Sequence, residues 1–193
     1  MQRFSNYNII LASNSPRRQQ FLKDIGLDFS IKTHEVEEIF PPELKGAAIS
    51  DYLVQLKAAP FKNLNEKEIV ITADTIVWHK NQCLGKPQNR DKAVEMLHQL
   101  SGEVHEVITS VAFTQAHHQT LIHEISRVYF KAFGQSEIDH YIDNYQPYDK
   151  AGAYGIQEWI GTVGIERIEG SYTNIVGLPV AQVLATLEKI CTE

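Results

Sequence analysis

The chain has 193 residues, two of them cysteine, with 43% hydrophobic residues, 22% charged residues and a formal net charge of −6. These values are those of a folded globular protein and exclude a disordered chain, a collagen-like chain and a disulfide scaffold. The acidic balance also argues against a general nucleic-acid binder, which needs a basic face, although a local cluster of cations can still hold a small anion.

Apolar periodicity predicts a mixture of strands and helices. In chain order, the predicted elements are a strand at 8–13, a helix from Pro16 to a stop at Gly26, a strand at 29–33, a helix at 43–59, two strand runs within 68–78 broken at Asp74, a helix between Asn89 and Gly102, strands at 104–114 and 120–133, a helix at 136–144, strands at 162–168 and 172–176, and a final helix from Pro179. The mixture without strict alternation indicates an α/β or α+β fold with a large mixed sheet.

No secretory signal core is visible, and no stretch approaches the roughly 20 apolar residues of a membrane-spanning helix. We therefore expect a cytoplasmic protein with neither a membrane partner nor a stable nucleic-acid partner. Two cysteines are too few for a cysteine-based metal site.

One aspartate stands in the middle of an apolar run. Asp74 separates the apolar segments 69–71 and 76–77. A carboxylate in such a run is costly unless it is paired, hydrogen-bonded or bound to a metal. We therefore expect a strand break at Asp74, with the carboxylate acting as a metal ligand or as the base that activates water. The alternative is an Asx-turn acceptor at a bend.

Two adjacent arginines follow the first predicted strand. Arg17 and Arg18 fall in the first turn of a helix that Ser15 and Pro16 open, where positive charge opposes the helix dipole. A bound phosphate would relieve this conflict, because backbone amides, hydroxyls and guanidiniums would converge on it. The alternative is that both arginines point to solvent. No P-loop pattern is present.

Weaker signals come from an acidic segment and from two lysines. Glu35, Glu37 and Glu38 can supply a ligand for a hard cation, or form a solvated acidic loop. Lys86 lies in a Gly-Lys-Pro turn and can contact phosphate as a point charge, or be an ordinary surface residue. Lys57 is favourable at a helix C-terminus for dipole reasons alone.

A glycine-rich segment at 149–157 precedes the last two predicted strands. Its small residues would let a ligand approach the backbone, and the Gln157 amide is suited to a nucleobase edge. A simple loop that joins helix to strand would look similar.

The ordered set of motifs resembles the Maf family of nucleoside triphosphate pyrophosphatases over nearly the whole length. The motifs that carry the resemblance are LASNSPRRQQFL, ITADTIV, LGKP, LSGEVHEVIT, YDKAGAYGIQ and EGSYTNIVGLPV. Within the family, AGAYGIQ followed by GSYTNIVGLP resembles the dTTP/UTP pyrophosphatase branch rather than the branch that acts on 7-methyl-GTP.

The resemblance implies a single Maf-like domain over residues 1–193. Its expected fold is an elongated mixed-sheet α/β structure with two lobes around a central cleft, similar to inosine-triphosphate pyrophosphatases. Its expected reaction converts a nucleoside triphosphate and water into the monophosphate and pyrophosphate, with a divalent cation, Mg²⁺ or Mn²⁺, as cofactor. The expected purpose is to limit the incorporation of unwanted pyrimidine nucleotides.

The resemblance also assigns roles to individual residues. It implies that Asp74 accepts the proton of the attacking water and holds the metal together with Glu38, and the choice between Glu37 and Glu38 stays open. The positions tied to substrate choice are Arg17, Thr75 and Gln157. The polar and cationic lining of the phosphate channel consists of Ser13, Arg18, Lys57 and Lys86.

Alternatives to this function remain open at the level of sequence. One is the same chemistry on purine or methylated nucleotides, and another is a non-enzymatic regulator of cell division. Nucleotide binding without turnover is a third. Family members are often dimers, so a homodimer is an option, but no interface stripe is readable in the sequence.

Overall fold

The computed structural model describes residues 4–192. The strands are β1 (Asn8–Leu11), β2 (Ser30–Ile31), β3 (Glu68–His79), β4 (Gln82–Leu84), β5 (Val104–Thr114), β6 (Gln119–Phe130) and β7 (Ile165–Glu169). The helices are α1 (Pro16–Asp24), α2 (Ala47–Ala58), α3 (Arg90–Leu100), α4 (Gln135–Tyr145), α5 (Trp159–Gly164), α6 (Tyr172–Val176) and α7 (Val180–Thr192), and a 3₁₀ turn covers Ala151–Ala153. Within the described range, no helix combines the length and apolar character that crossing a membrane requires.

The seven strands form one mixed sheet in the order β2-β1-β3-β5-β6-β7, and β4 pairs with β3. β1 runs parallel to both of its neighbours, with Ile9 opposite Ile69 in β3. β3 and β4 are antiparallel, as are β6 and β7, where Val128 lies opposite Ile168. The predicted mixed α/β fold with a large mixed sheet is therefore confirmed.

The chain divides into two compact units. Unit 1 contains the chain up to Asp74, residues Thr109–Glu124 and the residues from Gly177 onward. Unit 2 contains Thr75–Ile108 and Ile125–Val176. Each unit has its own apolar core.

The core of unit 1 surrounds the parallel strands β1 and β3. Both faces of these strands are buried, as is typical of parallel strands. On one face, Ile9 and Ile71 pack in a cluster that includes Leu22 of α1. On the other, Ile10 and Val70 pack with Phe61. Helix α1 begins as predicted, with Pro16 in its first turn and the Ser15 hydroxyl accepting a hydrogen bond from the amide of Arg18 at 3.5 Å.

The core of unit 2 lies between strands and two helices. It contains Leu97 and Leu100 of α3, Ile138 and Tyr141 of α4, and Phe130 of β6. Helix α3 begins as predicted after Asn89, whose side-chain oxygen accepts a hydrogen bond from the amide of Lys92 at 2.9 Å.

The expected strand break at Asp74 is wrong. β3 continues without interruption from Glu68 to His79. The carboxylate is paired with a lysine, so the backbone has no need to turn it out toward water. The Asx-turn interpretation of Asp74 is wrong for the same reason, because no bend occurs at this residue.

Two further element predictions near the C-terminus are also wrong. Residues 172–176 form helix α6 rather than a strand, and the first part of the predicted strand at 162–168 belongs to α5. At the start of α6, the Ser171 hydroxyl accepts a hydrogen bond from the amide of Asn174 at 3.3 Å. This local cap satisfies a helix N-terminus and outweighs the β-propensity of the apolar residues that follow.

Candidate active site

Asp74 lies within β3, where only 7% of its surface is exposed. Its Oδ1 accepts a hydrogen bond from Nζ of Lys57, in the last turn of α2. The hydroxyl of Thr72 on β3 donates to the carbonyl of Val54 in α2 at 2.9 Å, which ties this helix to the strand. The position of Lys57 beside Asp74 therefore follows from the packing of α2 on β3.

Lys57 also forms an ion pair with a second carboxylate. Its Nζ lies 3.0 Å from Oε1 of Glu38, in the loop before α2. The lysine side chain is 17% exposed and that of Glu38 is 42% exposed. One ammonium group thus joins a buried carboxylate to one that is open to solvent, and we call these three residues the carboxylate–lysine cluster.

Arg18 is fixed beside this cluster by backbone contacts. Its Nε donates to the carbonyl of Gly177 at 2.8 Å, and its Nη1 donates to the carbonyl of Ala73 at 2.9 Å and to the hydroxyl of Ser13 at 3.4 Å. Burial lowers the pKa of Arg18, and the nearby Asp74 carboxylate opposes this lowering. The alternative in which both arginines point to solvent is therefore wrong for Arg18.

The start of α1 adds another cation to unit 1. Arg17 is half-buried in the first turn of α1, which contains no acidic residue. The charge of Arg17 also lowers the pKa of Arg18, so the two guanidiniums repel each other. Unit 1 therefore holds the predicted residues of four segments, which are the start of α1, the loop before α2, the end of α2 and β3. These residues are Ser13, Arg17, Arg18, Glu38, Lys57 and Asp74.

The remaining predicted residues belong to unit 2. Thr75 follows Asp74 on β3, and the alternation of a strand directs its side chain to the opposite face. Lys86 is exposed in the turn after β4, and Gln157 is exposed in the segment after the 3₁₀ turn. The amide of Gly152 in that turn donates to the carbonyl of Gly85 at 3.1 Å, so the segments that carry Lys86 and Gln157 are joined by a backbone hydrogen bond.

Comparison with known proteins then decides the family. The Maf-like protein family matches residues 8–190. The chain belongs to the Maf family.

Several curated relatives of this Maf-like protein share one name with each other, dTTP/UTP pyrophosphatase. A protein from Flavobacterium johnsoniae named dTTP/UTP pyrophosphatase is 54% identical over 94% of each chain. One from Flavobacterium psychrophilum with that name is 51% identical over 94% of each chain. A third, from Bacteroides fragilis, is 45% identical over 95% of this chain and 96% of its own.

A solved structure supports the fold assignment. The Ham1 protein of Staphylococcus aureus superposes with a TM-score of 0.54 and 16% sequence identity, covering 94% of this chain and 98% of its own. At this identity the likeness concerns the fold alone, and it supports the predicted mixed-sheet α/β architecture.

The carboxylate–lysine cluster of this Maf-like protein has the donor chemistry of a hard-cation site. Mg²⁺ commonly binds proteins through one or two carboxylates and completes its shell with water and substrate phosphates. Glu38 and Asp74 fit that requirement, because both reach one point, at which the Lys57 ammonium now lies. Among residues 4–192, no group of three or more His, Cys, Asp or Glu side chains is placed to hold a metal. It is Glu38, rather than Glu37, that contacts Lys57.

One network of contacts around Gln157 was not predicted from the sequence. Tyr141, Lys150 and Glu158 form a hydrogen-bonded network behind the segment that carries this glutamine. Tyr141 lies on the apolar face of α4, where its spacing is that of an ordinary core residue. No signal in the sequence distinguishes its hydroxyl from that of any other buried tyrosine.

Proposed function

We propose that this Maf-like protein hydrolyses dTTP and UTP, and modified pyrimidine nucleotides, to the monophosphate and pyrophosphate. The observation that carries the proposal is the carboxylate–lysine cluster beside Arg18, which combines a buried carboxylate with fixed cations. A relative that is 54% identical and is named dTTP/UTP pyrophosphatase supports the choice of substrate.

Asp74 is the proposed proton acceptor. The oxygen of a water molecule bonds to the α-phosphorus, the bond from that phosphorus to the oxygen bridging to the β-phosphorus breaks, and pyrophosphate leaves with that oxygen. The proton of the water passes to the Asp74 carboxylate. The hydrogen bond from Lys57 holds this carboxylate in one orientation, which favours transfer along a fixed direction.

The cations of the site neutralise the triphosphate and its leaving group. Arg18 contributes a charge whose position is set by two backbone carbonyls, so it needs no reorganisation during the reaction. Arg17, Lys57 and Lys86 are the other proposed phosphate ligands, with the Ser13 hydroxyl as a neutral donor. Such fixed positive charge is the main means by which proteins stabilise a phosphoryl-transfer transition state.

The proposed cofactor is Mg²⁺ or Mn²⁺, held by Glu38 and Asp74. When bound, a divalent cation supplies positive charge at the phosphate oxygens and lowers the pKa of a coordinated water. Glu38 is suited to this role because its side chain is partly exposed and can turn from Lys57 toward a bound ion.

The proposed base-reading residues are Thr75 and Gln157, with Arg17 as a third determinant of substrate choice. Hydroxyl and amide groups can pair with the carbonyl and N–H groups of a pyrimidine. A site built for such hydrogen bonds rejects bases that leave its polar groups unpaired. Removing unwanted pyrimidine nucleotides before a polymerase uses them is the proposed physiological role.

A nucleotide panel tests this function. Pyrophosphate and monophosphate release would be measured with dTTP, UTP, CTP, ATP, GTP and 7-methyl-GTP, each with Mg²⁺, with Mn²⁺ and with chelator. We expect dTTP and UTP to give the highest kcat/KM, with the chelator abolishing turnover. A preference for purine or methylated nucleotides would overturn the substrate assignment. Nucleotide binding without product would overturn the enzymatic function.

A further inference from the structure

The segment that carries Gln157 has little regular structure of its own. Between the end of α4 and the start of α5, the chain forms only the short 3₁₀ turn Ala151–Ala153. The exposed Gln157 side chain lies close to the C-terminal end of this segment. Its position must therefore be set by contacts of the neighbouring residues rather than by a helix or strand.

The hydroxyl of Tyr141 makes two hydrogen bonds to this segment. It accepts one from the amide of Gly155 at 2.9 Å and donates one to Oε2 of Glu158. The tyrosine ring itself is fully buried in the core of unit 2. One rigid side chain thus contacts the residues two positions before and one position after Gln157.

An ion pair completes the arrangement. Nζ of Lys150 lies 3.0 Å from Oε1 of Glu158, and the side chains are only 13% and 23% exposed. Burial and the bond to the Glu158 carboxylate raise the pKa of Tyr141. The phenol therefore stays protonated at neutral pH and remains a hydrogen-bond donor to Glu158.

The backbone lies directly against these side chains. A Cβ added at Gly155 would be 2.9 Å from Cδ of Glu158 and 3.0 Å from Cε of Lys150. Both distances are shorter than ordinary van der Waals contact, so even a methyl group would displace the ion pair or the segment. A side chain at position 155 would therefore require Glu158 or Lys150 to move.

From these contacts we infer that Tyr141 is a positioning residue for nucleobase selectivity, because its hydroxyl fixes the segment that carries Gln157. The inference rests on the proposed function, in which Gln157 reads a pyrimidine. Tyr141 acts only through Gly155 and Glu158 and belongs to a different set of contacts from the carboxylate–lysine cluster. Its removal should therefore weaken base recognition and leave the chemical step intact.

The test is Tyr141→Phe, which keeps the ring and deletes the hydroxyl. The loss of a buried hydrogen bond to a charged group corresponds to roughly a tenfold change in an equilibrium. We expect KM for dTTP and UTP to rise about tenfold and discrimination against CTP to fall about tenfold, with kcat within about twofold of the parent. Steady-state kinetics with the three nucleotides measure all of these quantities.

Two further variants sharpen the test. Tyr145→Phe is the matched control, because the exposed Tyr145 stacks on Tyr141 with ring centroids 5.3 Å apart and deletion of its hydroxyl leaves both Tyr141 hydrogen bonds in place. This control should keep the KM and selectivity of the parent. Gly155→Ala perturbs the same contacts from the backbone side and should reproduce the rise in KM, even where Tyr141→Phe reduces the yield of folded protein.

The outcomes separate this inference from the proposed function. A parent protein that does not prefer dTTP and UTP contradicts the proposed function, whatever the variants do. A parent with that preference, together with Tyr141→Phe and Gly155→Ala variants that keep its KM and selectivity, overturns the positioning role. A lower melting temperature with unchanged selectivity also overturns it, because it shows that the tyrosine is only structural.

Discussion

The carboxylate–lysine cluster of unit 1 and the Tyr141 network of unit 2 hold the proposed functional groups in different ways. In unit 1, a long flexible lysine reaches two carboxylates from different segments, and one of these carboxylates is 42% exposed. In unit 2, a rigid buried phenol contacts the backbone of the segment it supports. The first arrangement suits charges that must exchange partners when phosphate or metal binds. The second suits a recognition surface that must stay in place.

The largest effect is expected from the buried carboxylate of unit 1. Asp74→Asn keeps the shape of the side chain and removes the proton acceptor, so kcat for dTTP should fall by about 10³-fold. The circular dichroism spectrum and thermal unfolding should remain those of a folded protein. Asp28→Asn changes an exposed aspartate of the same unit and serves as the control, with unchanged turnover. Comparable kcat values for the two variants would refute the role of Asp74.

A smaller effect distinguishes the two neighbouring glutamates. Glu38 contacts Lys57, and both Glu37 and Glu38 are exposed, so the pair offers matched substitutions. Glu38→Gln should lower kcat/KM by about tenfold, or about 1.4 kcal/mol of transition-state binding, and raise the Mg²⁺ concentration needed for half-maximal rate. Glu37→Gln should stay within about twofold. Equal Mg²⁺ titrations for the two variants would exclude Glu38 as a metal ligand.

A further expected effect concerns the stability of unit 2 rather than its catalytic rate. His105 is buried beside Phe130, and its Nε2 lies 2.7 Å from the hydroxyl of Tyr154. Burial lowers the pKa of His105 to about 3, whereas an unfolded histidine titrates near pH 6.5. Between these values the unfolded chain binds one more proton than the folded chain, so stability falls as the pH falls.

Urea unfolding at two pH values measures this contribution. His105 should account for a loss of about 2 kcal/mol in the free energy of unfolding between pH 7 and pH 5. In His105→Gln the loss should be smaller by that amount, since the other titrating groups are retained. An identical pH dependence in both proteins would show that His105 does not remain neutral in the folded core.

Much of the fold followed from local patterns. The apolar run of β1, the Ser15 cap of α1 and the Asn89 cap of α3 are short-range signals, and the structure contains each of these elements. The strand break expected at Asp74 does not occur. The prediction assumed that the backbone would bend to expose the carboxylate and so avoid the cost of burying its charge. In the structure, Lys57 removes that penalty through a contact between residues 17 positions apart.

Charged residues in costly positions made part of the candidate site predictable from the sequence. Asp74 and Arg18 stood out because each is costly where the local pattern puts it. The pairing of Lys57 with both carboxylates was not predictable, because it depends on how α2 packs on β3. The role proposed for Tyr141 could not be predicted for a different reason. A buried tyrosine fits the apolar pattern of α4 whether or not its hydroxyl has a role.

The most direct test of the central claim is to follow the oxygen of the attacking water. The parent protein would hydrolyse dTTP in water enriched in ¹⁸O. The two products would then be separated and their masses measured by mass spectrometry. Attack on the α-phosphorus beside Asp74 predicts one ¹⁸O atom in dTMP and none in the released pyrophosphate. Label in pyrophosphate, or the release of dTDP with labelled phosphate, would contradict the account.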